Sequence, residues 1–420
     1  MSQDRVLATY NIETPYNLEY AAKVMAGEQS TGTFITVPGE TEELKDRFAA
    51  KVVSIEELEV VSTPTLPGSK LPNRSNGSIS YHRGRVVLSF PLHNFGPSIP
   101  NLLATVAGNL YELREFSGLR LMDLELPNAF MEKYPGPQFG IEGTRKLANV
   151  YNRPFIGTIV KPSIGLTPDD LRVVVRDLAL AGIDFIKDDE LNANPPYAPL
   201  KERVKAAMEE IERAADKTGK KVMYAFNITD DIDQLERNHE TVVKAGGNCV
   251  MVGINSIGLA GVAHVRKFSE VPIHGHRNQW GAMTRCPQLG MEFTAYQKLC
   301  RLAGVDHLHC NAIDSKFYES NESVIKSVKD CITPMFGGYT AMPVLSSGQW
   351  AGTAPITYAS METIDVMHLA GGGIIGHPGG SEAGVKSMIQ GWEAAVSGVS
   401  LNEYAETHIE LKQAIEKFGK

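Results

Sequence analysis

From Phe155 onward the sequence repeats one pattern: a short apolar run, a cluster of turn or polar residues, then a longer stretch with apolar residues three and four apart. The apolar runs are Phe155–Lys161, Gly182–Ile186, Val222–Asn227, Cys249–Ile254, Val271–Arg277, Val305–Asn311, Ala341–Leu345 and Met367–Ile375. Strands that alternate with helices pair in parallel, and such sheets bury both faces. The first helix is well marked: Thr167 can cap it, Pro168 suits its first position, and Asp169 and Asp170 favour its positive end. Leu171, Val174, Val175 and Leu178 then share one face, and Gly182 stops it. The next helix puts Leu200, Val204, Met208 and Ile211 inward and stops at Gly219. Eight such units in about 250 residues have the size and rhythm of a (β/α)8 barrel. A doubly wound open sheet would give the same string, but eight consecutive units favour closure.

The region before the barrel mixes strands and helices without a repeating unit. Arg5–Glu13 reads as a strand, and Tyr16–Ala26 as a helix with Leu18, Ala21, Ala22 and Met25 on one side. Ile79–Tyr81 and Val86–Phe90 read as a hairpin around Arg83-Gly84, and Ser98-Ile99-Pro100 opens a helix through about Gly108. Tyr134-Pro135-Gly136-Pro137 is the expected linker, because two prolines and a glycine stop helix and strand alike. The expected division is an α+β domain over 1–145 and a catalytic barrel over 146–420.

Composition narrows the function classes. The chain is 43% apolar and 21% charged, as in a globular protein, with a formal net charge of −8. No dense Lys/Arg run is present, so neither nucleic acid nor an anionic membrane is an expected partner. No apolar run approaches the ~18 residues of a membrane span, and MSQDRVLATY lacks a signal-peptide pattern. The five cysteines form no CxxC pair, which reads as reduced thiols in a cytoplasmic protein. A local basic pocket for an anionic metabolite is compatible with this balance.

In a barrel of this kind the chemistry sits where the strands end. Those ends carry Lys161, then Lys187, Asp189 and Glu190, then His274, His276 and Arg277, then His307 and His309, with Lys316 in the following loop. Each has an ordinary reading: a strand-end lysine reaches for water, a KDDE run is a solvated turn, paired histidines are hydrogen-bonded core residues, and triple glycine is a turn. Their convergence on one rim argues otherwise. Asp189 and Glu190 suit a hard cation such as Mg2+, and Lys187 shares a strand face with Asp189. An ammonium would repel the metal, but a desolvated amine loses its proton and can add CO2 as a carbamate, a third anionic ligand. Backbone N–H groups of Gly348 and Gly371–Gly373 suit a phosphate, and Arg277 and His309 a second anionic end. Lys161 is then the candidate acid or base.

At these residues the sequence resembles the RuBisCO large-chain superfamily. GTIVKPSIGL at 157–166, GIDFIKDDE at 182–190, IHGHR at 273–277, GVDHLHC at 304–310, MPVLSSGQW at 342–350 and AGGGIIGHP at 370–378 are similar to its strand signatures. GEQSTGTF at 27–34 and AGNL at 107–110 resemble segments that reach into the neighbouring subunit. The resemblance implies a TIM barrel behind an N-terminal α+β (ferredoxin-like) domain. It implies carbamylated Lys187 with Asp189 and Glu190 around Mg2+, Lys161 as the enolising acid/base, and His276 on substrate hydroxyls. Arg277, His309 and Ser346 hold substrate, Gly348, Gly371 and Gly372 its phosphate, and Lys316 is the loop-six lysine that orients CO2. Glu28, Thr33 and Asn109 come from the partner, which implies a homodimer with shared sites, able to assemble further.

Two departures set the expected reaction apart from carboxylation. The second lysine of the strand-one motif is Ser163. Loop six reads Asp314-Ser315-Lys316-Phe317-Tyr318-Glu319-Ser320, where the family has glycine-lysine-leucine-glutamate-glycine, and a loop without those glycines closes less tightly. The chain therefore resembles the RuBisCO-like proteins (form IV). The expected activity is a Mg-dependent decarboxylase or transcarboxylase/hydrolase acting through an enolate on a phosphorylated branched keto acid such as 3-oxo-isoapionate 4-phosphate of apiose catabolism. The alternative is a methionine-salvage isomerase or enolase acting on 5-methylthioribulose 1-phosphate or 2,3-diketo-5-methylthiopentyl 1-phosphate. A non-catalytic scaffold predicts lost metal ligands or phosphate glycines, and neither is lost.

Overall fold

The computed structural model describes residues 4–32, 37–72 and 79–419. Its strands are β1 (Arg5–Thr14), β2 (Lys51–Val61), β3 (Tyr81–Pro91), β4 (Gly118–Glu125), β5 (Phe155–Ile159), β6 (Phe185–Lys187), β7 (Met223–Asn227), β8 (Cys249–Gly253), β9 (Ile273–His276), β10 (Leu289–Met291), β11 (His307–His309), β12 (Met342–Leu345) and β13 (Met367–Leu369). Packing divides the chain into two units. One comprises Met1–Pro135 with Gln279–Leu299, the other Gly136–Asn278 with Cys300–Lys420. Residues 136–145 thus pack with the barrel, and the dividing point falls within the Tyr134–Pro137 segment.

The first unit is a five-stranded sheet in the order β10-β4-β1-β3-β2. Helix Leu18–Glu28 packs the expected face, Leu18, Ala21, Ala22 and Met25, and is capped by the Asn17 side chain. The expected hairpin at 79–90 is corrected: β3 runs unbroken through Arg83-Gly84 and pairs with β1 on one side and β2 on the other. Gly84 is there for close packing, since a Cβ would stand 2.7 Å from a Leu18 methyl and 3.1 Å from the Glu56 carbonyl. The edge strand β10 comes from a segment distant in sequence. Arg120 on β4 holds it, donating to the Thr284 carbonyl at 2.8 Å and to Glu292 at 2.9 Å.

The second unit is a closed parallel barrel in the order β11-β12-β13-β5-β6-β7-β8-β9. Phe155, Phe185, Met223, Ala225, Met251, Met342, Val344 and Met367 form one apolar cluster, so the interior is packed rather than a pore. The capping box at Thr167 and Asp170 forms, and helix Leu200–Thr218 ends at Gly219 in the left-handed region, both as the sequence indicates. The eighth expected strand, Met367–Ile375, is shorter: β13 ends at Leu369 and Gly372–Ile375 form a helical turn. Gly373 lets this turn press against loop seven, where a Cβ would lie 2.4 Å from the Gln349 carbonyl.

The entry end of the barrel is tied by Asp306, which pairs with Arg266 at 2.8 Å and accepts from the N–H groups of Phe139 at 2.6 Å, Gly140 at 3.0 Å and Ile273 at 2.8 Å. This anchors helix Gly140–Ala148, whose Thr144 hydroxyl meets the His307 ring at 2.9 Å. Removing one partner of such a buried pair leaves the other charge unpaired. Asp306→Ala is expected to cost about 3–5 kcal/mol in urea unfolding. The folded fraction of that variant should retain its activity.

Candidate active site

The end of β6 assembles the centre. Lys187 is fully buried, and its ammonium donates to the Asp188 carbonyl at 2.7 Å and lies 3.9 Å from a Glu190 oxygen. Burial lowers the Lys187 pKa, and the carboxylates of Glu190, Asp189 and Asp188 only partly oppose it. Asp188 is engaged elsewhere. It pairs with Arg203 at 2.6 Å and accepts from the Tyr224 hydroxyl at 2.7 Å and the Asn227 N–H at 2.8 Å. The Asn227 amide also donates to the carbonyls of Asp189 and Glu190, both at 3.3 Å, so the segment carrying these acids is pinned.

Lys161, at the end of the neighbouring β5, donates to Asp189 at 2.7 Å and to the Ser163 hydroxyl at 2.8 Å. Burial disfavours the Asp189 carboxylate, but the hydrogen bonds from Lys161, the Leu191 N–H and Ser163 outweigh it and lower its pKa. Ser163 therefore supports Lys161 without adding a second positive charge. Gly371 lies alongside, where a Cβ would stand 3.6 Å from Lys161 Cε, and the Thr158 hydroxyl ties β5 to the Ala370 carbonyl at 3.0 Å.

β9 and β11 contribute imidazoles. His276 stands 3.5 Å from Glu190, and its Nδ1 accepts from the Asn278 N–H at 3.2 Å, which leaves Nε2 to carry the proton facing Glu190. Burial, with Lys187 nearby, lowers the His276 pKa to about 3. His309 meets His274 at 2.9 Å through Nε2 and the Ser346 hydroxyl at 3.3 Å through Nδ1. Arg277 is paired with Glu319 of loop six at 2.5 Å.

Loop seven supplies Ser346, Ser347 and Gly348, with Ser347 and Gly348 both at positive φ. The buried Ser347 hydroxyl, next to Gly348, has no hydrogen-bond partner among the described residues. A chain from Trp392 through His368 to Gln349, at 2.8 and 3.0 Å, holds this loop. Gly372 has open space where a Cβ would lie, and a Cβ on Gly348 would stand 3.7 Å from the Lys316 N–H nitrogen. Lys316 itself is exposed, its ammonium 5.4 Å from the centre of the Phe317 ring.

Lys161 thus pairs with Asp189, Lys187 and His276 both approach Glu190, and the His276 and His309 rings lie 4.4 Å apart. Of the residues expected from a second subunit, Glu28 is exposed at a helix end and Asn109 is exposed at the start of the short helix Asn109–Glu112. With its amide in the hydrogen-bonding orientation, Gln29 links them, accepting from the Asn109 N–H at 3.2 Å. Thr33 lies outside the described residues. The residues not singled out from sequence are Ser163 as a partner of Lys161, Asn227, Ser347 and Glu319. Asn227 at a strand end carried a readable signal, while the Glu319 contact depends on how loop six folds back.

The catalytic-domain profile of the ribulose bisphosphate carboxylase large chain matches residues 140–418, and its N-terminal-domain profile matches residues 1–130. The chain belongs to the RuBisCO large-chain family. This member is 50% identical over 414 residues to a Xanthobacter autotrophicus protein named 3-oxo-isoapionate-4-phosphate transcarboxylase/hydrolase, covering 98% of this chain and 99% of that one. It is 48% identical over 417 residues to a Rhizobium etli protein named 3-oxo-isoapionate-4-phosphate decarboxylase, covering 99% of each. Among solved structures, a rubisco-like protein from Burkholderia fungorum superposes with a TM-score of 0.92 at 44% identity, covering 99% of this chain and 100% of that one.

The buried imidazoles make a prediction about stability. Burial lowers the pKa of His276, His307 and His368 to about 3, and those of His274 and His309 well below the ordinary value. These rings take up protons only when unfolded as pH falls below their ordinary value, so their contribution is present above about pH 6.5 and lost below it. Urea unfolding at pH 7.5 and pH 5.5 should differ by about 1 kcal/mol for each such histidine. Equal stability at both values would contradict the neutral assignment.

Proposed function

We propose that this RuBisCO-family member cleaves a carbon–carbon bond of 3-oxo-isoapionate 4-phosphate in a Mg2+-dependent reaction, as a decarboxylase or transcarboxylase/hydrolase. The observation that carries the reading is that near-full-length relatives are named for this substrate. The Lys161–Asp189 pair and the approach of Lys187 and His276 to Glu190 supply the chemistry such a reaction needs.

Among the described residues no three His, Cys, Asp or Glu side chains converge as a ready metal site. Asp189 and Glu190 provide two oxygen ligands, and Lys187 fits as the third only once CO2 has added to its amine. Its burial and lowered pKa favour the neutral form that can add CO2. The donor set then is all oxygen, as Mg2+ requires. When bound, Mg2+ supplies positive charge that stabilises an oxyanion developing beside it.

In a 3-oxo acid the bond to the carboxyl carbon breaks with its electron pair passing into the ketone, leaving an enolate that must regain a proton. Lys161, which donates to Asp189 and Ser163, returns it in this reading. The Gly348, Gly371 and Gly372 backbone with the Ser347 hydroxyl binds the phosphate, and His276 takes a substrate hydroxyl. Arg277, His309 and Ser346 line the other end, and Lys316 covers the site. A second copy of the chain supplies Glu28, Thr33 and Asn109, making a cytoplasmic homodimer the working form.

Incubation with 3-oxo-isoapionate 4-phosphate and Mg2+ should consume the keto acid and release CO2 or a carboxylic acid, which separates the two named activities. Chelation should abolish turnover. Lys161→Met should lower kcat by about 10²–10⁴ at unchanged fold. An isomerised sugar phosphate with no carbon lost would overturn the reading.

A further inference from the structure

We infer that Glu319 fills the second anion position of this site, so that the protein accepts a singly phosphorylated substrate and gains nothing from a second phosphate. The inference rests on the site reading above and sharpens its substrate class. Arg277, at the end of β9, is the guanidinium best placed by sequence to hold a second anionic end. In the structure it is matched instead by a carboxylate of its own chain, with 2.5 Å between Arg277 Nη2 and Glu319 Oε2. Both side chains are nearly closed off from water, at 5% and 6% exposure.

The carboxylate is also held from its other side. The Asn311 side-chain amide, just past β11, donates to the same Glu319 oxygen. Asn311 adopts a left-handed backbone, with φ 62°, which asparagine tolerates better than most residues. Glu319 is thus gripped between two strand ends. Loop six is tied further at its base, where Asn321 accepts from the Asp314 N–H and donates to its carboxylate, both at 2.9 Å.

The electrostatic consequence follows from formal charge. Arg277 and Glu319 cancel, so a phosphate entering here would meet a neutral pair whose carboxylate repels it. Displacing Glu319 would leave that carboxylate without its partner, a strongly unfavourable state for a desolvated charge. Rejection of a competing ligand by a fixed like charge is a recognised route to specificity. The sequence position agrees, because Glu319 stands where the related loop has the glycine three residues after its lysine.

The test uses the intact protein with Mg2+ and bicarbonate, and two probes measured by titration calorimetry: ribulose 5-phosphate and ribulose 1,5-bisphosphate. The wild-type protein should bind both within about threefold of each other. Glu319→Gln, which keeps the shape and removes the charge, should favour the bisphosphate by at least tenfold, and the double variant Arg277→Gln/Glu319→Gln should lose that gain. A wild-type preference of tenfold or more for the bisphosphate would overturn the inference. So would a folded Glu319→Gln protein with an unchanged ratio. Should Glu319→Gln fail to fold, the wild-type ratio decides by the same threshold. Keto-acid turnover is read separately, so loss of the proposed reaction with the expected binding ratios would sink that reading and leave this one standing.

Discussion

A lysine amine with no solvent exposure, placed where β6 ends, is the constraint on which the site depends. Removing an ammonium ion from water costs several kcal/mol even after the protein relaxes around it. Two arrangements reduce that cost here: nearby carboxylates that favour the charged form, and loss of the proton, toward which burial pushes Lys187. The structure leaves both open by turning Asp188 away from the amine and committing it to Arg203 and Tyr224. That commitment, with the Asn227 amide on the backbone of Asp189 and Glu190, fixes the strand end as a rigid piece. Under the proposed function this strand end carries the metal ligands, Lys187 joining Asp189 and Glu190 once CO2 has added to its amine.

The two ends of the barrel divide the work. At the entry end Asp306, Arg266 and the His307–Thr144 contact tie helix Gly140–Ala148 beneath the strands. At the other end the polar groups are bridged to one another and to short loops held from outside, as by the Trp392–His368–Gln349 chain behind loop seven. The positive-φ backbone at Ser347 and Gly348 lies here. So does the buried Ser347 hydroxyl without a partner among the described residues.

Much of this was legible in the chain. The barrel followed from strand–helix repetition, and the rim lysines, acids and histidines from the rule that strand ends carry chemistry. Three features were not, for physical reasons. Gly84 reads as a turn because glycine next to a charged residue usually is one; only the packing of Leu18 against it shows a straight strand. The strand Leu289–Met291 is three residues long and joins its sheet by pairing with β4, a partner over a hundred positions away. The Arg277–Glu319 pair depends on loop six returning to the end of β9, which no local periodicity encodes.

The most direct measurement of the central claim is carbon-13 NMR of the intact protein supplied with labelled CO2 and Mg2+. The account predicts one carbamate resonance in the wild-type protein, in slow exchange with free CO2, that disappears in a folded Lys187→Met variant. A wild-type spectrum without a carbamate signal, or a signal that survives the replacement, would contradict it.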